Sequence, residues 1–312
     1  MVKVTKKKIT IVYIFIILLA LLYILSFTLF NSNGQKKKYS QQIVFIHEAD
    51  ISNIDGFVIQ TPQDSIMIKK SNNMWLVVQN ENLDNPIPAD IQKLKSLFLA
   101  LADKKTISKA GSKSELTSYG LDSKNSSLIL IYKNGSLYKT LQFGELDFSQ
   151  TQRYFTDDEL NSVFYFDISF DSFINSSAQS WCDPYIISSQ LKDSVFNTGD
   201  IQSASVYDYV QSRGAALTTE TQDWTTKISK LLELRHGGFV QKLQPDSQSN
   251  LLTKIHLETG NMAQIQIEIF AADSEEEYIT KTTFISELTG QTFTYYTAIS
   301  LWTYNKIKEI ML

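Results

Sequence analysis

Apolar positions along this chain fall into three spacings, and each predicts a different element. Ile265, Ile267 and Ile269 alternate with Gln264, Gln266 and Glu268, the two-residue period of a half-buried antiparallel strand. Ile91, Leu94, Leu97, Phe98 and Leu101 recur three and four residues apart. That spacing predicts an amphipathic helix, entered through Pro88 and Asp90, which suit a helical first turn. Residues Ile9–Gln35 carry no charge, and Ile9–Phe30 is interrupted only by Thr10, Ser26 and Thr28. About 20 apolar residues at about 1.5 Å rise span a hydrocarbon core of about 30 Å, so this run predicts a transmembrane helix.

The run is longer than the apolar region of a cleavable signal peptide and ends in Phe-Thr-Leu-Phe30 without small residues, so an uncleaved anchor is expected. Lys3, Lys6, Lys7 and Lys8 precede it, and Lys36, Lys37 and Lys38 follow it. Four against three favours residues 1–8 inside and the rest outside the cytoplasmic membrane. Residues 39–53 read as a linker.

The body reads as one unit written twice. In the first unit, residues 54–188, Phe57–Gln60, Ile66–Lys69 and Trp75–Val78 are strands. The helix follows, then Leu128–Tyr132 and Leu137–Phe143 around Asn134-Gly135, the turn signal of a type I′ hairpin. Arg153–Thr156 and Val163–Phe166 are two more strands, and Phe170–Ser176 reads as helical. The second unit, residues 189–312, repeats the order. Asp223 is expected to cap a helix carrying Trp224, Ile228, Leu231 and Leu232, with Gly237-Gly238 closing it through a left-handed cap. Gly260 stands in the place of Gly135. Tyr278-Ile-Thr280 answers Tyr154-Phe-Thr156, and Ala298–Leu312 closes as a helix. The expected fold class is α+β: two tandem repeat-like units, each an antiparallel sheet with a packed helix, after an N-terminal transmembrane helix.

Charge narrows the partners. Seven of the 29 basic residues lie in residues 1–38, which hold no acid, so the body carries 22 basic against 33 acidic residues, or −11. An acidic body is a poor nucleic-acid partner. Cys182 is the single cysteine, which excludes an intramolecular disulfide and a cysteine-based metal site. The Lys-rich, Arg-poor composition with many Ile, Asn and Ser suits an AT-rich bacterial genome.

The residues Pro88-Ala-Asp-Ile91, Leu116-Thr-Ser-Tyr-Gly-Leu-Asp122, Leu141-Gln-Phe-Gly144 and Arg153-Tyr-Phe-Thr156 resemble the bacterial DUF4340 family over about residues 54–188, and more faintly over the rest. Trp75, Tyr119, Gly120, Leu121, Asp122 and Gly144 fall on its pattern, while Ser123 stands where the family commonly has Pro. The resemblance implies a membrane-anchored protein linked with ABC-2-type export systems, near an auxiliary component similar to those of gliding-motility transporters. It implies no known reaction. The motif's own reading is structural: Gly120 takes positive φ to stop a helical segment, and Leu121 returns to the core.

Candidate chemistry is sparse. His47, His236 and His256 lack metal-ligand spacing, and no P-loop, G-x-S-x-G or G-x-G-x-x-G occurs. Asp157-Asp158-Glu159 and Asp273 with Glu275, Glu276 and Glu277 read as solvated turns. Cys182 beside Trp181 reads as a packed small hydrophobe. No catalytic, cofactor-binding or metal residue is expected. The anchor, the absence of an assembled catalytic motif and the resemblance to the DUF4340 family together imply a non-enzymatic accessory subunit of an ABC-type export or gliding-motility-like system, with a permease and auxiliary transport subunits as the partners the resemblance implies. The alternative is an envelope enzyme or binding protein using a cleft between the units.

Overall fold

The computed structural model describes residues 40–79, 86–194, 200–240, 250–260, 262–272, 277–287 and 289–312. The expected anchor, residues 9–35, and the acidic residues Asp273, Glu275 and Glu276 lie outside the described residues. Among the described residues no helix is long and apolar enough to cross a membrane.

Two sheets organise the chain. The first contains β1 (Ser40–Ile43), β2 (Ile54–Gln60), β3 (Ser65–Ser71), β4 (Met74–Gln79), β5 (Ile87–Pro88), β6 (Lys105–Ser112), β7 (Ser127–Lys133), β8 (Ser136–Leu146), β9 (Gln152–Asp157) and β10 (Ser162–Asp167), with helix α1 (Ile91–Ala102) between β5 and β6. After the short helix α2 (Ser189–Ser194) come β11 (Ile201–Asp208), β12 (Arg213–Thr218), α3 (Trp224–Leu232), β13 (Gly238–Phe239), β14 (Leu251–Thr259), β15 (Ala263–Ala271), β16 (Glu277–Ser286), β17 (Gln291–Ser300) and α4 (Leu301–Met311). The ladders are antiparallel in both sheets.

The strand orders correspond. The first sheet runs β1-β6-β10-β9-β8-β7-β2-β3-β4-β5, and the second β12-β11-β14-β15-β16-β17-β13. Read from β6 to β3 and from β13 to β12, the two lists match strand for strand. The main helix precedes the equivalent strand in each, β6 in one and β13 in the other. The first sheet adds β1 at one edge and β4 and β5 at the other.

The cores differ in chemistry. The first is aromatic: Phe45 packs against Phe155, Phe166 and Phe170 with ring centroids 5.5–5.8 Å apart, under Leu94, Leu97 and Leu101 of α1. The second is aliphatic: Ile255, Ile265, Ile267 and Ile269 meet Ile228 of α3 and Ile307 of α4. Asp90, expected in the first helical turn, is the N-cap of α1, accepting from the Gln92 and Lys93 amides at 2.9 and 3.2 Å, and Pro88 lies before the helix in β5.

Several expectations need correction. Residues 40–53 are not a linker. They supply β1 and bury Phe45 and Ile46, whose amides both donate to the Leu101 carbonyl at 3.1 Å. Phe170–Ser176 is not a helix: a 3-10 turn at Ile168–Phe170 buries Phe170, and irregular chain follows to bury Phe173. Helix α3 ends at Leu232 with a right-handed cap at Glu233, so Gly237 and Gly238 do not close it; Gly238 pairs with Ala298 in the sheet. Asp223 precedes α3 at φ 59° and makes no side-chain cap. Asn134 and Gly135 take φ 51° and 75°, the expected type I′ values, but in the second sheet Met262, at φ 58°, takes the left-handed position instead of Gly260. That loop is one residue longer, so the register demand falls elsewhere. The boundary also moves: Ile186 and Ile187 already belong to the second core.

Candidate functional site

Three clusters gather the polar and motif residues. The first surrounds Tyr119. A 3-10 segment, Lys113–Tyr119, ends at Gly120 with φ 63°, and the Gly120 amide turns back onto the Leu116 and Thr117 carbonyls. Leu121 is buried. Asp122 accepts from the Lys124 amide at 2.9 Å and from Asn125 Nδ2 at 2.8 Å, which fixes the following turn and holds its carboxyl below the usual carboxylate range, the Asn125 bond contributing most. Gly144 lies under this turn, where a Cβ would overlap the Tyr119 carbonyl oxygen. A Cβ at Gly111 would likewise overlap the Tyr119 hydroxyl. The ring lies tilted beside Tyr154, 4.8 Å between centroids, and Tyr154 beside Tyr165 at 5.4 Å. Arg153 donates from Nη1 to the Gly144 carbonyl at 2.6 Å and forks onto Asp171 with two 2.9 Å bonds. Trp75 sits apart, buried between Phe57 and Phe98. The structure therefore brings together five of the six motif residues, and every one of the six is engaged in packing or turn bonds.

The second cluster is the junction. Asp183 is buried, and its Oδ1 accepts from the Tyr185 amide at 3.0 Å. Its Oδ2 accepts from the Ser188 hydroxyl at 3.1 Å, the Ser189 amide at 2.7 Å and the Ser189 hydroxyl. His236 donates from Nε2 to the Asp183 carbonyl at 2.6 Å. Burial lowers its pKa, so it is neutral with the proton on Nε2. Tyr295 donates to the Ile186 carbonyl at 2.7 Å and accepts from the Ser188 amide at 3.0 Å; burial pushes its phenol well above its usual range. The hydroxyl and imidazole donors here are spent on carbonyls or the carboxylate of the connector. The Nε2 of His236 faces a carbonyl, and its Nδ1 is buried without a hydrogen-bond partner among the described residues. Cys182 donates to the Ala178 carbonyl, and burial pushes its thiol up to about 12, which removes thiolate chemistry at neutral pH.

The third cluster lies on the outer face of the second sheet. A groove of about 480 Å³ runs over β11, β12 and β14, lined by Tyr207, Gly214, Ala216, Lys254 and His256 among others. Beside it His256 Nε2 meets Glu258 Oε1 at 3.0 Å, and Ser203 donates to Glu258 Oε2 at 2.9 Å. The carboxylate stands between the hydroxyl and the imidazole. Bonds from Ser203 and His256 hold Glu258 below its usual pKa, making it a weak base, and His256 does not reach Ser203's proton. A serine triad needs the opposite order.

Among the described residues no group of three His, Cys, Asp or Glu is arranged to hold a metal ion. Asp157, expected in a solvated turn, is buried; it accepts from the Glu159 and Leu160 amides at 2.9 and 2.8 Å and lies 3.8 Å from Lys139. Sequence reasoning missed Asp183, Gln190, Arg153 with Asp171, and Tyr295. Asp183-Pro184 carried a turn signal; the others depend on partners distant in sequence.

A family model described as "Domain of unknown function (DUF4340)" matches residues 75–278. No curated protein and no solved structure matches the chain.

Proposed function

The chain belongs to the DUF4340 family, and on that premise we propose that it is a membrane-anchored, non-enzymatic accessory subunit of an ABC-type export or gliding-motility-like transport system. Its two-sheet body stands outside the cytoplasmic membrane, and its partners are the permease and auxiliary subunits. The observation that carries this reading is the use of the family-pattern residues: Tyr119, Gly120, Leu121, Asp122 and Gly144 are consumed in building one turn against one strand. A family pattern spent on architecture suits a protein that works as a shaped body.

The uncharged run Ile9–Gln35 between two lysine clusters supports the anchor. An anchored body meets a permease at high effective concentration in the bilayer plane, so weak direct contacts suffice. The matching strand orders support the two units as diverged copies of one repeat. Carbonate extraction of membranes, combined with protease access to a C-terminal tag, tests anchoring and side. Affinity purification of the full chain in mild detergent tests the subunit role.

A further inference from the structure

We propose that His236 is an acid-released latch: its protonation frees the connector that follows Asp183 from the strip at residues 234–238 of the second unit. That strip is held on two sides. On one, the Ile186 amide donates to the Leu234 carbonyl at 3.0 Å, the His236 amide donates to the Pro184 carbonyl at 3.1 Å, and Tyr185 bridges Arg235. On the other, the Gly237 amide donates to the Ala298 carbonyl at 2.8 Å, and Gly238 pairs with Ala298 of β17.

The imidazole closes the first side. Its Nε2 donates to the Asp183 carbonyl at 2.6 Å, which fixes the tautomer and leaves Nδ1 as a bare lone pair. Nδ1 is buried and has no hydrogen-bond partner among the described residues. A proton arriving there adds a second donor and a full charge where no acceptor lies within hydrogen-bond reach. Opening the strip to water removes that cost. Burial pulls the ring below its ordinary 6.5, outweighing the Asp183 carbonyl, the Asp183 charge and the Gly238 backbone, which favour the charged form.

The charged and titratable groups around the strip are Asp183 and Tyr185 of the connector, Lys192 of α2, Arg235 and Tyr295 of β17. Asp183 accepts from Tyr185, Ser188 and Ser189. Lys192 and Arg235 stand over the Tyr185 ring at 3.4 and 5.3 Å, and Tyr295 donates to the Ile186 carbonyl. Histidine is the side chain whose ordinary titration falls between about pH 5 and pH 8. A histidine lowered in the folded chain gives stability that is complete above its unfolded pKa and is lost as the pH falls below it. The strip is therefore closed at neutral pH and opens below about pH 6.5. Thr282 and Tyr295 keep their bonds to the Ile186 carbonyl, so the junction loosens on one side without unfolding. The latch uses only the junction and stands apart from the transport reading.

The test is amide hydrogen exchange of the full chain in mild detergent, read by mass spectrometry between about pH 7.5 and pH 5 and divided by the rate of the unfolded chain at each pH. Protection of the Ile186 and His236 amides is expected to fall below about pH 6.5, by at most about tenfold per pH unit, the limit for one linked proton. Protection of Ile267 in β15 is expected to stay constant. His236→Gln keeps a donor for the Asp183 carbonyl but takes no proton, and is expected to flatten the profile. In the wild type, the imidazole nitrogen resonances of His236 are expected to titrate over the interval in which protection falls, a readout that needs no variant. Strip protection constant to within about twofold overturns the proposal, since a linked proton must shift the opening equilibrium. So does a His236 ring that stays neutral while protection falls, or a folded His236→Gln chain with the wild-type profile.

Discussion

The side chain of Gln190 pairs with the backbone of Trp75 in both directions. Its Oε1 accepts from the Trp75 amide at 2.8 Å, and its Nε2 donates to the Trp75 carbonyl at 2.8 Å. The same Nε2 donates to the Ala89 carbonyl at 2.9 Å. One amide from α2 thus docks the second unit onto β4 and β5 of the first. Backbone bonds from Asp90 to Trp181 and from Asp183 to Pro88, 2.8 and 2.9 Å, lie alongside. Gln190→Leu strands the Trp75 amide and the Ala89 carbonyl, while the Trp75 carbonyl keeps the Ala89 amide at 2.8 Å; it is expected to cost about 2–4 kcal/mol, as unpaired buried groups cost about 1–3 kcal/mol each. Urea unfolding of the variant measures it; a loss below about 0.5 kcal/mol, the size of a neutral surface change, contradicts the docking role.

Gly144 and Gly135 make a matched pair of substitutions. At Gly144 an added Cβ meets the Tyr119 carbonyl and Leu121, backbone and core that have no room to give. Gly144→Ala is expected to cost about 3 kcal/mol, the upper range for overpacking. At Gly135 nothing lies within 4 Å, and only φ 75° opposes a side chain. Gly135→Ala is expected to cost about 1 kcal/mol, the strain of a left-handed residue. Thermal melts of both variants check the order; equal losses contradict the packing of the Tyr119 turn on β8.

Asp208 and Lys308 tie α4 to the end of β11. Lys308 Nζ lies 2.8 Å from Asp208 Oδ2, and the carboxyl is fully buried. Its other oxygen accepts from the Val210 and Gln211 amides at 2.9 and 3.1 Å. Burial pulls the Asp208 pKa upward, but Lys308 and the two amides outweigh it and leave the carboxyl below its ordinary 3.8. A depressed carboxyl contributes stability that is present above the unfolded pKa and lost as pH falls through the folded value. Lys308 is raised above its ordinary 10.5, the Asp208 bond contributing most, so its share is lost only as pH rises beyond that value. Lys308→Met leaves a buried charge unpaired and is expected to cost about 3 kcal/mol at pH 7. The gap from wild type should narrow as the pH drops below about 4. A gap that is constant from pH 3 to pH 7 contradicts the pairing.

Cys182 gives a chemical check on the junction. With its thiol pushed up to about 12 and buried against Ala178, it is expected to resist iodoacetamide at pH 8 in the folded chain and to react fully in denaturant. Rapid labelling of the folded chain, followed by mass spectrometry, would contradict a closed junction.

Features written in neighbouring residues were legible in the sequence. Asn134-Gly135 makes its type I′ turn and Gly120 takes φ 63°, because each needs only local backbone chemistry. The doubled strand order was legible too, since turns and apolar runs recur in sequence. Phe45 and Ile46 looked like linker because their worth comes from Phe155, Phe166 and the Leu101 carbonyl, far along the chain. Gly238 looked like a cap because its strand partner, Ala298, is equally distant. Of the candidate site, the Tyr119 turn was legible as a helix stop. Its seat on Gly144 and the Gln190 bridge were not, because neither leaves a local pattern.

The subunit role is tested most directly by affinity purification of the full chain from its own membranes in mild detergent, beside a variant lacking residues 1–35, with mass spectrometry of what co-purifies. The expected result is recovery of permease and auxiliary subunits of one ABC-type export system with the full chain, and their loss with the shortened but still folded variant. Recovery of the full chain without any transport subunit would contradict the account. So would turnover of a substrate by the purified body that an alanine change at a groove carboxylate abolishes.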